Sequence, residues 1–279
     1  MDTSPSPPAP PLHPIEIQLG FDVVLRFGAP TPLIVTLGVH ASRAGDLLQP
    51  DLLQVDPPVP LRPYVDSFGN HCQRLVAPAG ELRLHGHGVV ADSGRPDPVL
   101  PWLTQQPVEE LPEETLLFLL ASRFCESDLL SPLAWSRFEA VPGGWGRVQA
   151  ICDFVHQHVR FDYGRSSPTK SALQTFESQE GVCRDFAHLA IALCRCMNIP
   201  ARYCTGYLSD IEVPPPHTAM DFHAWFEAYL GDGWHVFDPR NNTPRIGRIL
   251  MARGRDAADV ALTTSFGPSE LVSFQVWTA

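Results

Sequence analysis

From Gly181 to Leu208 the chain reads GVCRDFAHLAIALCRCMNIPARYCTGYL. Val182, Phe186, Leu189, Ala190, Ile191, Leu193 and Met197 leave a helix here with little polar face. Such a helix has to be buried inside its domain. Asn198-Ile199-Pro200 ends it, because proline cannot continue the hydrogen-bond ladder, and ARYCTGYL then reads as a strand. The helix opens on Cys183. A thiol that only fills core space belongs in the middle of such a helix. At the first turn, the backbone N–H groups and the helix dipole favour a thiolate.

The 279 residues, 44% hydrophobic and 18% charged, suffice for one large or two ordinary globular domains. The net charge of −11, with Lys170 the single lysine, repels phosphate backbones and argues against nucleic-acid binding. No segment approaches the roughly 18 consecutive apolar residues of a membrane span. The Pro-rich start, MDTSPSPPAPPLHP, lacks the basic and apolar regions of a signal peptide; residues 1–13 read as a disordered tail. Seven cysteines, an odd count without an export signal, indicate free thiols in a reducing cytosol. A cytoplasmic location follows as the expectation.

Short strand-like runs dominate residues 14–95. IEIQLGFDVVLRF and PLIVTLGVH come first, then DLLQV, VDSFGNHCQRLVAP and ELRLHGHGVVAD, separated by Pro, Gly and Asn turn chemistry. This predicts an N-terminal β domain, with SGRPDPVLPW as a linker. His85 and His87 share one strand face, but no third metal ligand is visible nearby, so both read as exposed strand residues. From Leu111 the period becomes helical, in LPEETLLFLLASRFC and in GWGRVQAICDFVHQHVRFDY, where Val148, Ile151, Cys152, Val155 and Val159 recur at helix spacing. After the strand ARYCTGYL comes a Pro-rich loop, SDIEVPPPHTAMD. A hairpin follows, FHAWFEAYL and WHVFDP joined around GDG, and a last strand lies in SFGPSELVSFQVWTA. Helices before strands, without βαβ alternation, predict an α+β domain over residues 96–279.

Cys183, His223 and Asp238 stand out within that half. The midpoint of 223 and 238 falls between Leu230 and Gly231, in the hairpin turn. Residues equidistant from a turn face each other across the ladder, so His223 and Asp238 are expected in contact. A carboxylate so placed holds an imidazole in one tautomer and stabilises its charged form. A helix start packed on that sheet brings the thiol, and thiolate, imidazole and carboxylate together make cysteine nucleophilic.

Three linked stretches, GVCRDFAHLAIALCRCMNIPARYCTGYL, DFHAWFEAYLGDGWHVFDP and SALQTFESQE, resemble the core of the transglutaminase-like superfamily, specifically its bacterial cysteine-protease-like members, over roughly residues 145–245. The leading β segment and LPEETLLFLLASRFCESDLL resemble the N-terminal region of those proteins more loosely. The resemblance implies a papain-like fold with a catalytic triad of Cys183, His223 and Asp238. It also implies acyl transfer from a carboxamide through a thioester, resolved by an amine or by water, on a peptide or protein substrate. No cofactor and no metal are expected.

The backbone N–H of Cys183 is the expected first oxyanion donor, and Gln174, Gln179 and Tyr163 are alternatives for the second. Asp185 suits the helix dipole, and Arg184 is expected to pair elsewhere in the domain. His188 points away from the thiol and reads as a core histidine. Cys194, Cys196 and Cys204 read as core residues, because helix positions two apart face different ways, against a zinc site. Trp225 and Trp234 either wall the cleft or pack. A non-catalytic peptide-binding module on the same fold is the alternative function. An arylamine N-acetyltransferase is a weaker one, since its Arg-Gly-Gly-x-Cys setting is replaced here by Gln-Glu-Gly-Val-Cys.

Overall fold

The computed structural model describes residues 14–215 and 220–279. The tail expected over residues 1–13 lies outside the described residues, as does the centre of the Pro-rich loop, residues 216–219. The N-terminal strands are β1 (Ile15–Phe27), β2 (Thr31–Val35), β3 (Leu47–Gln49), β4 (Gln54–Asp56), β5 (Arg62–Val65), β6 (His71–Ala77) and β7 (Gly80–Asp92). Along β1 every second residue from Ile17 to Phe27 is buried, the period-two pattern of a strand with one face on a core. On β7, His85 and His87 lie on the opposite, more open face, as alternation predicts.

Helices α1 (Glu113–Leu116), α2 (Ser127–Phe138), α3 (Trp145–His158), α4 (Ala172–Ser178) and α5 (Cys183–Cys196) follow, with the short strands β8 (Arg160–Phe161) and β9 (Glu180–Gly181) between them. The helical reading of LPEETLLFLLASRFC is corrected: it yields only α1 and a single 3-10 turn. Helix α2 was not predicted. Pro132 lies inside it, and an interior proline reads as a breaker, yet Leu130, Ala134 and Phe138 are buried and hold the helix by packing. Helices α2, α3 and α4 all pack on α5, which is the buried helix the sequence demanded: Phe186 to Cys194 are all buried. Its end is a Schellman closure. Asn198 takes a positive φ of 60°, while Asn198 N donates to Arg195 O and Ile199 N to Cys194 O, each at 3.0 Å.

The other side of α5 rests on an antiparallel sheet ordered β12-β11-β10-β13. Its strands are β10 (Ala201–Leu208), β11 (His223–Leu230), β12 (Gly233–Phe237) and β13 (Arg248–Gly254). The expected domain boundary is corrected at the C-terminus. Strands β14 (Thr263–Ser265) and β15 (Ser269–Thr278) leave the helix-containing half and pair with β2 and β1. They complete two sheets, β14-β2-β6-β5 and β15-β1-β7-β3, with β4 also on β7. The reason is apolar burial: Val276 and Phe274 join the core of β1, β2, β6 and β7. That core also takes in Tyr207, Phe222, Ile249 and Met251, so the β region and the sheet under α5 share buried surface.

Candidate active site

Cys183 stands at the first position of α5, after Val182 in extended conformation. The preceding β9 pairs in parallel with β8 and is reached through Gln179, whose positive φ of 56° ends α4. The Asp185 carboxylate turns back and accepts from Val182 N at 2.9 Å. It is fully buried, and a Cβ on Gly181 would come within 2.7 Å of it, so this approach requires glycine. The expectation for Arg184 is corrected. Its guanidinium pairs with the adjacent Asp185 at 3.0 Å and donates to the Ser167 carbonyl, tying the helix start to the loop before α4.

The hairpin register also differs from the midpoint estimate. Leu230 pairs with Gly233, Gly231 takes a φ of 60°, and the ladder therefore runs two residues out of the expected step. Phe226 lies opposite Phe237, so extending the ladder would place Asp238 opposite Trp225. A shift of two preserves the face, because side-chain direction repeats every second residue. His223 and Asp238 meet diagonally: a hydrogen bond joins His223 Nε2 and Asp238 Oδ2 at 2.7 Å. Cys183 lies near the same ring: it lines one depression together with His223 and contributes to the electrostatics of the imidazole. The structure thus brings all three predicted residues together.

Burial works against a charged ring at His223, but Asp238 and Cys183 outweigh it and raise its pKa to about 9. Burial likewise disfavours the Asp238 carboxylate, yet His223, Arg248 and Asn241 hold it well below the usual range. Sequence reasoning missed these neighbours. Arg248 donates to Asp238 at 3.2 Å and to Asp97 at 2.9 Å, and Asn241 Nδ2 donates to Asp238 at 2.9 Å. The signal was present in the strand Arg248-Ile-Leu-Met, since a charge in an apolar strand has to find a partner when buried. Asp97 lies in the stretch read as a plain linker. Helix α3 fixes the turn after Asp238: Asn242 donates to Asp153 at 2.8 Å, and Gln149 donates to Asn242 at 2.9 Å.

The remaining candidates separate clearly. Gln174 forms a capping box with Ser171 and neither it nor Gln179 lines the thiol's surroundings, whereas Tyr163 does. His188 is buried, accepts from Ala257 N at 3.1 Å and stacks on Phe124; burial, with Arg184 and Arg195 nearby, pushes its pKa well below the ordinary value. Cys194, Cys196 and Cys204 are core residues, and burial pushes the Cys196 thiol up to about 12. Cys183 alone among the seven is not fully buried. Trp225 packs behind the site, stacked on His223 at 15°, while Trp234 packs against Tyr229 and Phe118. Among the described residues no group of three or more His, Cys, Asp or Glu side chains could hold a metal. Nor is any helix among them long and apolar enough to cross a membrane.

Two depressions meet at Cys183. A small one of about 120 Å³ includes His223, Asp221, Arg240 and Asn241. A larger one of about 640 Å³ shares Tyr163, Cys183, Asp221 and Phe222 with it but is not lined by His223.

The model of the Transglutaminase-like superfamily matches residues 139–239, a span that contains Cys183, His223 and Asp238. An uncharacterized protein of Mycobacterium leprae is 36% identical over 117 residues, 41% of this chain and 42% of its own length. One of Mycobacterium tuberculosis is 37% identical over 126 residues, 40% of each. The chain thus matches about two fifths of the length of these curated relatives. The crystal structure of "a Putative Cysteine Protease from Cytophaga hutchinsonii" aligns with a TM-score of 0.83 and 32% identity, covering 96% of this chain and 91% of that one. With likeness over nearly its whole length, and a family match centred on the helix and hairpin of the site, the chain belongs to the transglutaminase-like superfamily.

Proposed function

We propose that the chain is a cysteine-dependent acyl transferase that acts on a peptide or protein amide through a thioester on Cys183. The observation that carries this reading is the convergence of three groups: Asp238 hydrogen-bonds His223 at 2.7 Å, and Cys183, at the head of α5, lines the same depression as His223. The sulfur bonds to the amide carbon, and the carbonyl electrons move onto oxygen. The N–H of Cys183 is an oxyanion donor, because first-turn amides have no intrahelical partner, and Tyr163, which lines both depressions at the thiol, is the side chain we assign as the second. Collapse breaks the C–N bond as imidazolium passes its proton to the departing amine or ammonia. The neutral ring then takes a proton from water or an incoming amine, which attacks the thioester carbon and breaks the C–S bond. Asp238 holds the ring in place throughout.

Hydrolysis and transamidation share these residues and differ only in what reaches the thioester. The small polar depression beside His223 suits water or a slender amine. The free cysteines fit a reducing, cytoplasmic setting. The test is product analysis by mass spectrometry on a peptide library containing Gln and Asn, with and without added amine. Ammonia, a cleaved backbone or an amine adduct is expected from the wild type, and none from Cys183→Ala. Identical products from both proteins, or no product from any peptide, would overturn the reading.

A further inference from the structure

The larger depression reaches Cys183 without including His223, and this suggests a role for it in binding substrate. His223 protonates the departing amine, so the amine side of the substrate lies over the polar depression that contains His223. The acyl side then falls to the larger depression, which is lined by Cys183 but not by His223. That groove is mostly aromatic and aliphatic, with Phe124, Tyr203, Phe222 and Val260 in its lining, and carries Arg123, Arg184 and Asp221 as well. Its volume of about 640 Å³ falls within the roughly 300–1,000 Å³ of pockets that hold compact ligands.

The floor and walls are fixed. Phe124 N donates to the buried Asp256 carboxylate at 2.8 Å. The Phe124 ring stacks on His188 at 5.1 Å, and His188 lies 5.0 Å from the Tyr203 ring. Phe222 is wedged against Phe21, Tyr207 and Phe274. The Leu262 carbonyl accepts from Thr36 N at 2.9 Å, which ties the far wall to the β region. A preformed apolar wall adjoining the reacting atom is a specificity device, since apolar burial near the reacting bond discriminates between substrates.

We infer that this groove binds the acyl portion of the substrate through a bulky apolar side chain close to the reacting amide. The inference rests on Cys183 being the acyl-accepting atom. It deepens that reading by naming the substrate class: peptides with an aromatic or large aliphatic residue one position before the residue that carries the reacting carbonyl.

The probes are acetyl-Phe-Gly and acetyl-Gly-Gly chloromethyl ketones, with modification of Cys183 followed by mass spectrometry. The Phe reagent is expected to label Cys183 about tenfold or more faster than the Gly reagent. Ala258→Trp and Ala261→Trp, which place an indole in the groove, are each expected to bring that ratio close to one. Ala258 is exposed on its loop, so its variant carries the test if Ala261→Trp does not fold. Equal rates for both reagents in the wild type, or full Phe preference in the folded variants, would overturn the inference. Labelling needs no turnover. A Phe preference in a protein that gives no product with the peptide library would leave the groove standing and count against acyl transfer instead.

Discussion

Asp238 accepts from the backbone N–H groups of Arg240 and Asn241 on Oδ1, and on Oδ2 it meets His223, Asn241 and Arg248. Every one of these neighbours can present a donor, so the site demands a carboxylate and rejects an amide, whose NH₂ would face other donors. The charge of His223 has a consequence for stability. Its ordinary pKa of 6.5 is raised to about 9 in the folded chain. The stabilisation this represents is fully present below pH 6.5 and is lost as pH rises through 9. The melting temperature of the wild type is therefore expected to fall across that interval, and His223→Gln is expected to flatten the fall. The same slope in both proteins would contradict the pairing. At this scale the thiol, the imidazole and the carboxylate were legible in the sequence, because each is chemically distinctive and sits at a readable element boundary. Arg248 and Asp97 were not. They are 151 positions apart, and no local pattern encodes a contact at that separation.

The elements place these side chains by backbone geometry. The period-two rule explains why the hairpin estimate survived a wrong register: a slip of two residues moves Asp238 along the strand without turning it over. A slip of one would have put it on the other face. Turn composition alone did not distinguish Gly231-Asp232 from the neighbouring step. Helix α5 was legible from its continuous apolar run, whereas α2 was hidden because Pro132 contradicts a helix that tertiary packing nonetheless holds. At the head of α5, Asp185 takes the place of a capping side chain by accepting from Val182 N. Asp185→Ala leaves that buried N–H without a partner, a loss of about 1–3 kcal/mol. Asp185→Asn keeps an acceptor oxygen and is expected to cost less. Chemical denaturation of the three proteins measures the order, and an alanine variant as stable as the wild type would show that Asp185 does not hold the helix start.

Across the whole molecule, the chain ends where it began. β15 lies against β1, β14 against β2, and the loop between β13 and β14 forms one wall of the apolar groove at Cys183. The β region therefore belongs to the site as backing, through Phe222 on one side and Leu262 on the other. A chain ending at Leu262 would strip a strand from each sheet and is expected to lose cooperative unfolding in both halves. Near-native melting of that truncated chain would show the helix-containing half to be self-sufficient. The return of the C-terminus was illegible beforehand, because SELVSFQVWT reads as a strand but names no partner.

The linkage of sulfur, ring and carboxylate is tested most directly by the rate at which iodoacetamide modifies Cys183 at pH 6, compared between wild type and His223→Gln. A lone cysteine is almost entirely thiol at that pH and reacts slowly. The account predicts a rate in the variant lower by a factor of about 100, with both proteins folded. Equal rates would mean that His223 does nothing for the sulfur beside it, and the proposed chemistry would go with it.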